Sequence, residues 1–308
     1  ALTARGAQVT FVMRDDPLGT AHVRAAGFPV VAVPKREDPA QTARVIRRHR
    51  PGRLITDLYP SSSAYLGRLR NAGAQVVCLT ALGQLRAPAD IVINGDVRFQ
   101  GQRPRVNRLA TQRYVGPDYF ILRPQFCNGH GPRRRIARTA SRILVTVGGV
   151  DPGRLIPKIL RALECVTASL RITVVLGAPQ KDMLPSGAKP VRILSGVKRM
   201  SELMRASDLA IASGGFTLYE LAATGTPSVV LCQRPHQQQT AQAFERLGSC
   251  RCLGLGDQVT ETRLAKVVTD LIRSPVRRRA MSIAGSSIVD GGGLHRVVEI
   301  LTTTGRLR

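Results

Sequence analysis

The sequence predicts an α/β protein built from two Rossmann-like domains that face a cleft. Three observations lead there. Short β-branched runs alternate with amphipathic stretches along the chain, the signature of βα units on a parallel sheet. A polar Gly/Pro/Arg-rich segment, Asn128 to Arg138, interrupts the alternation once, and the same alternation restarts beyond it, as at an interdomain linker. The 308 residues suffice for about two domains of ordinary size.

In the first half, strands are expected at Val9 to Met13, Val30 to Val33, Leu54 to Thr56, Val76 to Leu79 and Ile91 to Ile93, with helical or loop stretches such as Pro39 to His49 and Ser61 to Ala72 between them. The chain opens with Ala1 rather than Met, in what reads as the tail of a helix, so a segment upstream is expected. After the linker, strands are expected at Ile143 to Val147, Ile172 to Leu176, Val191 to Leu194, Leu209 to Ala212 and Ser228 to Leu231. Helices are expected near Leu155 to Cys165, Met200 to Ala206, Leu218 to Thr224, Gln239 to Leu247, Glu261 to Ile272 and His295 to Leu301. The expected division is a first domain over 1–127, a linker over 128–141 and a second domain over 142–308.

Composition narrows the class. Apolar residues are 43% and charged residues 21% of the chain, close to the globular average, which excludes wholesale disorder. No apolar run approaches the roughly 18 residues of a spanning helix, and no signal pattern opens the chain; a cytoplasmic protein is expected. The six cysteines (Cys78, Cys127, Cys165, Cys232, Cys250, Cys252) form no C-x-x-C pair and the five His are dispersed, so spacing offers no metal site and the thiols are expected reduced and mostly buried.

Charge is the unusual feature: 46 Lys+Arg against 20 Asp+Glu give +26, with only six Lys among the basic residues. Such a balance attracts phosphate-bearing partners. The Arg are scattered, with dense spots only at Arg133 to Arg135 and Arg277 to Arg279, a distribution expected of solvated faces. Aromatics are 4% and Trp is absent, so the stacking platforms of single-strand binders are not evident. A nucleic-acid partner is therefore disfavoured, although charge alone leaves it open, as it does a peripheral contact with anionic lipid.

Ligands of doubly wound domains bind beyond the C-terminal strand ends, and three such ends are informative. Gly148-Gly149-Val150-Asp151 follows the strand that opens the second domain; paired Gly permit a tight turn and close backbone approach to a ligand, and a simple βα turn reads the same way. Ser213-Gly214-Gly215-Phe216-Thr217-Leu218-Tyr219-Glu220 follows another strand and enters a helix. Small residues and free amides at a positive helix end suit a diphosphate, and Glu220, one turn in, is placed to accept both hydroxyls of a ribose. Thr217-x-x-Glu220 equally fits a capping box, which needs no ligand. The third end, Gln233 to Thr240, carries Gln237, Gln238 and Gln239, donors and acceptors suited to sugar hydroxyls; a polar helix start reads the same way. A last turn, Asp290-Gly291-Gly292-Gly293, reads as a helix start.

Val115-Gly116-Pro117-Asp118-Tyr119, Leu122-Arg123-Pro124-Gln125-Phe126, Gly148 to Asp151, Met200 to Met204 through Asp208, Gly214 to Glu220, Gly225-Thr226-Pro227-Ser228 and Asp290 to Gly293 together resemble one family. It comprises the UDP-sugar hydrolases of the pseudaminic acid pathway and the related spore-coat polysaccharide proteins, distant relatives of the lipid II-forming N-acetylglucosaminyltransferase. The resemblance covers nearly the whole chain in order. It implies a GT-B fold with a UDP-sugar in the cleft, Gly214, Gly215 and Thr217 bordering the diphosphate, Glu220 on the ribose, Gly149 at the cleft, and Gln237 and Gln238 near sugar or phosphates. It also implies inverting hydrolysis that releases UDP and a free amino sugar without metal or cofactor, or, alternatively, transfer to an acceptor; a noncatalytic binder is the third reading.

Two departures bear on catalysis. The family's Gly-x-Gly-His loop, whose His resembles a general base, would precede Ala1. His22, in Gly19-Thr20-Ala21-His22, mimics that motif but follows what should be the second strand, where an ordinary helical His is expected. His236 stands where the family tends to have Asn, and Thr80-Ala81 where it tends to have acidic residues. His236 is thus a candidate for acid-base work, with simple hydrogen bonding as the alternative.

Overall fold

The computed structural model describes residues 1–34, 38–58, 62–80, 88–106, 111–127, 134–149, 151, 153–177, 187 and 189–303. Expected features at Ser61, Ala81, 128–133 and Val150 lie outside these residues. The chain forms two compact units: Ala1–Gly95, Gly101–Tyr119 and His295–Arg308 in the first, Asp96–Gln100 and Phe120–Leu294 in the second.

The first unit begins with a 3₁₀ turn, Thr3–Arg5, where a helix tail was expected. It continues through β1 (Phe11–Arg14), α1 (Pro17–Ala25), β2 (Val30–Val33), α2 (Pro39–His49), β3 (Arg53–Thr56), α3 (Ser63–Arg70), β4 (Gln75–Thr80), β5 (Ile91–Asn94), β6 (Arg105–Val106) and β7 (Gln112–Val115). Strands β1 and β2 pair in parallel; the other sheet runs β3-β4-β5-β7-β6, parallel except for β6. The helix starts are set locally. Asp16 and Asp38 accept from Gly19 N and Gln41 N, each before a Pro at the first turn, and Ser62 accepts from Tyr65 N, satisfying donors that a helix N-terminus leaves free. One sheet face packs Leu66, Leu69, Val76, Cys78 and Val92. The other buries Val77, Ile91 and Ile93 against Val297 and Leu301.

The second unit holds β8 (Arg142–Thr146), α4 (Leu155–Glu164), β9 (Arg171–Leu176), β10 (Val191–Ser195), α5 (Met200–Ala206), β11 (Leu209–Ala212), α6 (Thr217–Ala223), β12 (Ser228–Cys232), α7 (Pro235–Arg246), β13 (Cys250–Leu255), α8 (Glu261–Arg273) and α9 (Pro275–Ile288). Its six strands are all parallel, in the order β10-β9-β8-β11-β12-β13. Numbered within the unit, that is the 3-2-1-4-5-6 order of a Rossmann sheet. Both faces are covered, which explains why β11 and β12 are buried at every residue. Ile143, Val145, Ile211 and Leu231 face a core shared with α4 and α8. Leu144, Ala210, Val230 and Cys232 face a core shared with Leu218, Tyr219 and Phe244.

The expected domain limits need correcting at both ends. The last helix, α10 (Gly293–Thr303), carries Val297 and Leu301 into the core of the first unit, so the second unit does not run to residue 308. Phe120 to Cys127 belong with the second unit, where Phe126 is fully buried. The described end of the expected linker is packed rather than free. Arg134 Nη1 donates to Met204 O and Thr226 Oγ1, Ala140 N bonds Ile272 O, and burial lowers the Arg134 pKa to about 10. Arg278 is fully buried and donates to Leu271 O, Ile272 O, Ala137 O and Arg138 O. These two Arg serve backbone carbonyls inside the fold, against the expectation of solvated faces.

Strands β6, β7 and β13 and helix α9 were not expected. The polar Gln-Arg-Tyr-Val of β7 and the Gly254-bearing β13 hide their period, and the Arg277 to Arg279 run masks α9. All six thiols are free, and Cys78, Cys232 and Cys250 are the buried ones.

Candidate functional site

In the second unit the strand order reverses between β8 and β11, the point beyond whose C-terminal ends such sheets hold ligands. The turns that follow these two strands, and β12 beside them, are knit together. Ser213 Oγ donates to Val147 O at 2.9 Å, and Gln233 Nε2 donates to the same carbonyl at 3.1 Å and to Asp151 Oδ1 at 3.4 Å. Asp151 in turn accepts from Leu155 N and Ile156 N, both at 2.9 Å, and so starts α4. Gln237 Oε1 accepts from Gln233 N at 2.8 Å, closing the turn into α7.

Close approach requires Gly at 214, and a positive φ favours it at 148. A Cβ on Gly214 would lie 2.8 Å from Gln237 O and 2.9 Å from Cys232 Sγ, so the turn passes directly over the start of α7. Gly148 has φ of +101°, a conformation side chains disfavour. Gly149 is exposed, with its backbone so near Gly177 that a Cβ there would collide with it. Gly215 faces Gln237, whose Nε2 would lie 3.7 Å from a Cβ at Gly215. Gln238 is directed elsewhere, its Nε2 3.8 Å from the Cβ position of Gly254 in β13.

Thr217 opens α6 and is half-buried; the N-cap is Phe216, with no side-chain cap bond. The capping box that Thr217 and Glu220 would allow is therefore not formed. Glu220 is instead engaged by Arg123, whose Nε and Nη2 both donate to Oε1, at 3.0 and 2.8 Å. Burial pushes the Glu220 carboxyl above its usual range, with the Arg123 guanidinium pulling the other way. Around it, Phe120 stacks on Tyr219 at 3.6 Å between ring centroids and meets the exposed Phe216 edge-on at 5.4 Å. The Tyr219 hydroxyl accepts from Val97 N at 3.0 Å, and burial raises its pKa.

The two His candidates stand apart from this cluster. His236 is exposed in the first turn of α7, and none of the hydrogen bonds that join the turns involves it. His22 lies within α1, exposed, as the ordinary helical alternative expects. Sequence reasoning missed Arg98, which binds Asp96 and donates to Gln239 Oε1 at 2.6 Å, and the pairing of Arg123 with Glu220. Among the described residues no group of three or more His, Cys, Asp or Glu is placed to hold a metal ion, and no helix is long and apolar enough to cross a membrane.

Known proteins supply the comparison. The crystal structure of Acinetobacter baumannii MurG superposes with a TM-score of 0.77 at 14% identity, covering 98% of this chain and 93% of that one. The chain has the GT-B fold. Within this GT-B chain, residues 142–291 match the glycosyltransferase family 28 C-terminal domain, the stretch from β8 to the turn before α10. The spore coat polysaccharide biosynthesis protein SpsG of Bacillus subtilis (strain 168) is 29% identical over 95% of this chain and 88% of its own length. A Helicobacter pylori protein, pseudaminic acid cytidylyltransferase and UDP-2,4-diacetamido-2,4,6-trideoxy-beta-L-altropyranose hydrolase, is 28% identical over 44% of this chain and 25% of its own. The GT-B chain is thus glycosyltransferase-like.

Proposed function

We propose that this protein is a UDP-sugar-dependent enzyme of surface-polysaccharide synthesis that breaks the bond between the anomeric carbon and the diphosphate and passes the sugar to an acceptor hydroxyl. The observation that carries the reading is the convergence, at the strand-order reversal, of the Gly148-Gly149 and Ser213-Gly214-Gly215 turns with a half-buried carboxylate, Glu220, one turn into α6. Gly214, Gly215 and Thr217 border the diphosphate in this reading, Glu220 takes the ribose, and Gly149 and Gln237 lie toward sugar and phosphates, whereas Gln238 is directed toward β13 and is left out. Backbone N–H groups aimed at the departing diphosphate would stabilise its developing charge without having to reorganise. The net charge of +26 favours any anionic donor. The full-length similarity to a spore coat polysaccharide biosynthesis protein supports the place in polysaccharide synthesis.

Hydrolysis, in which water replaces the acceptor with inversion, is a second reading, favoured by the partial similarity to a protein named as a UDP-sugar hydrolase. The fold serves both, because function resides in the site. UDP alone should bind, and Glu220→Ala should weaken it by about 1 to 3 kcal/mol, the range for a lost charge-assisted hydrogen bond; titration calorimetry reads this, and unchanged affinity removes Glu220 from the site. UDP release from UDP-N-acetylglucosamine decides the reaction. Release only when a polysaccharide acceptor is added supports transfer, and equal release in water alone supports hydrolysis.

A further inference from the structure

Arg123 is held unusually firmly for a half-exposed arginine. Its backbone is extended, at φ −59° and ψ 147°, as a residue preceding proline requires. The segment after it is pinned to α5. Gln125 Nε2 donates to Lys198 O at 3.0 Å, Gln125 Oε1 accepts from Ser201 N at 3.0 Å, and Phe126 is 1% exposed. The guanidinium carbon sits 5.2 Å from the centre of the Phe126 ring, a cation–π contact that fixes the side chain as well. From this platform the guanidinium does not spread over both oxygens of Glu220. Both of its bonds go to Oε1, and Oε2 accepts no hydrogen bond from any described residue.

We propose that Arg123 is a positioning residue of the nucleotide site: it occupies Glu220 Oε1 and leaves Oε2, with both of its acceptor positions, for the vicinal hydroxyls of a ribose. The proposal rests on the reading of Glu220 as the ribose partner, and it changes that reading in one respect. A carboxylate has about four acceptor positions, two on each oxygen. With the pair on Oε1 filled by one guanidinium, both sugar hydroxyls converge on a single oxygen whose orientation Arg123 sets. Burial raises the Glu220 pKa, and the Arg123 guanidinium acts against that rise. Arg123 need not touch the nucleotide.

Titration calorimetry with UDP and 2′-deoxy-UDP separates this role from a structural one, using the wild type, Arg123→Gln, Arg123→Lys, Glu220→Gln and the double variant Arg123→Gln/Glu220→Gln. The wild type should prefer UDP to 2′-deoxy-UDP by about tenfold, and Arg123→Gln should weaken UDP by a similar factor while changing 2′-deoxy-UDP little. In the Glu220→Gln background, Arg123→Gln should change nothing further, and Arg123→Lys, which keeps the charge without the fork, should restore part of the preference. Equal weakening of UDP and 2′-deoxy-UDP by Arg123→Gln, or no weakening of either, overturns the proposal while leaving the Glu220 reading intact. A wild type indifferent to the 2′-hydroxyl, or a Glu220→Gln variant that binds UDP like the wild type, overturns the Glu220 reading and the proposal with it.

Discussion

At the scale of single residues, Gly214 makes the most demanding contribution to the candidate site. The turn after β11 must cross the first turn of α7, and a single methyl group there would press on Gln237 O, Gln237 Cβ and Cys232 Sγ, all at 2.8 to 2.9 Å. Two of those atoms belong to a hydrogen-bonded helix start and cannot retreat cheaply. Gly214→Ala should therefore cost about 1 to 3 kcal/mol, the usual penalty for overpacking, read by urea unfolding, and should weaken UDP binding through displacement of the turn. Gly215→Ala is the control, since its nearest neighbour would be the flexible Gln237 Nε2 at 3.7 Å, and it should unfold like the wild type. Sequence alone made these glycines conspicuous as pairs between a strand and a helix, a pattern that a simple βα turn shows as readily. It could not resolve Glu220, whose spacing from Thr217 fits a cap and a ligand equally well. The structure pairs Glu220 with Arg123, 97 residues earlier, a separation over which no local pattern operates. Gln233 was missed for a related reason: it reads as one amide among four, and only the fold reveals that its side chain bridges Val147 and Asp151.

At the scale of elements, the parallel strands were legible because burial on both faces makes them continuous apolar runs, as in Leu209–Ala212 and Ser228–Cys232. Strand β13 was not, because Arg251 and Gly254 interrupt it. Helix α9 was obscured by three consecutive arginines, of which the middle one is buried against backbone carbonyls. What ties β8 to the strand beside it is a polar device, Asp208 at the entry to β11. Its carboxylate accepts from Ser141 N, Arg142 N and the Arg142 guanidinium, at 2.7 to 3.3 Å. Burial opposes its ionisation, but these hydrogen bonds prevail and hold its pKa below the usual value. The sign follows directly. A carboxylate whose pKa is lower in the folded state contributes stability above its unfolded pKa and loses it as pH falls through the folded one. Asp208→Asn should therefore destabilise the protein at pH 7 by about 1 to 3 kcal/mol, toward the lower end because the Arg142 side chain is 48% exposed and screened. The gap from the wild type should close as pH is lowered below the ordinary aspartate range of about 4, as urea unfolding at a series of pH values would show. A gap that persists unchanged into strong acid would mean that the carboxylate charge contributes nothing.

At the scale of the whole molecule, the order of elements along the chain does not coincide with the units they build. Helix α10 follows the last element of the second unit, yet Val297 and Leu301 complete a core around Val77, Ile91 and Ile93 of the first. The sequence showed α10 as an amphipathic helix, but an apolar stripe does not say which sheet it covers, and proximity along the chain argued for the wrong one. The consequence is that the first unit depends on residues near the other end of the chain, while the candidate site is built wholly from the second. Leu301 is 4% exposed, and removing a leucine side chain of that kind costs about 2 to 5 kcal/mol. In Leu301→Ala that loss should fall on the first unit alone, appearing as an earlier step in urea unfolding and as faster hydrogen exchange of the β4 and β5 amides. UDP affinity, measured well below the denaturant concentration of that step, should stay within about twofold of the wild type, a difference of roughly 0.4 kcal/mol. A parallel loss of affinity would show instead that the nucleotide is held by both units, and that the turns around β8, β11 and β12 do not suffice to bind it.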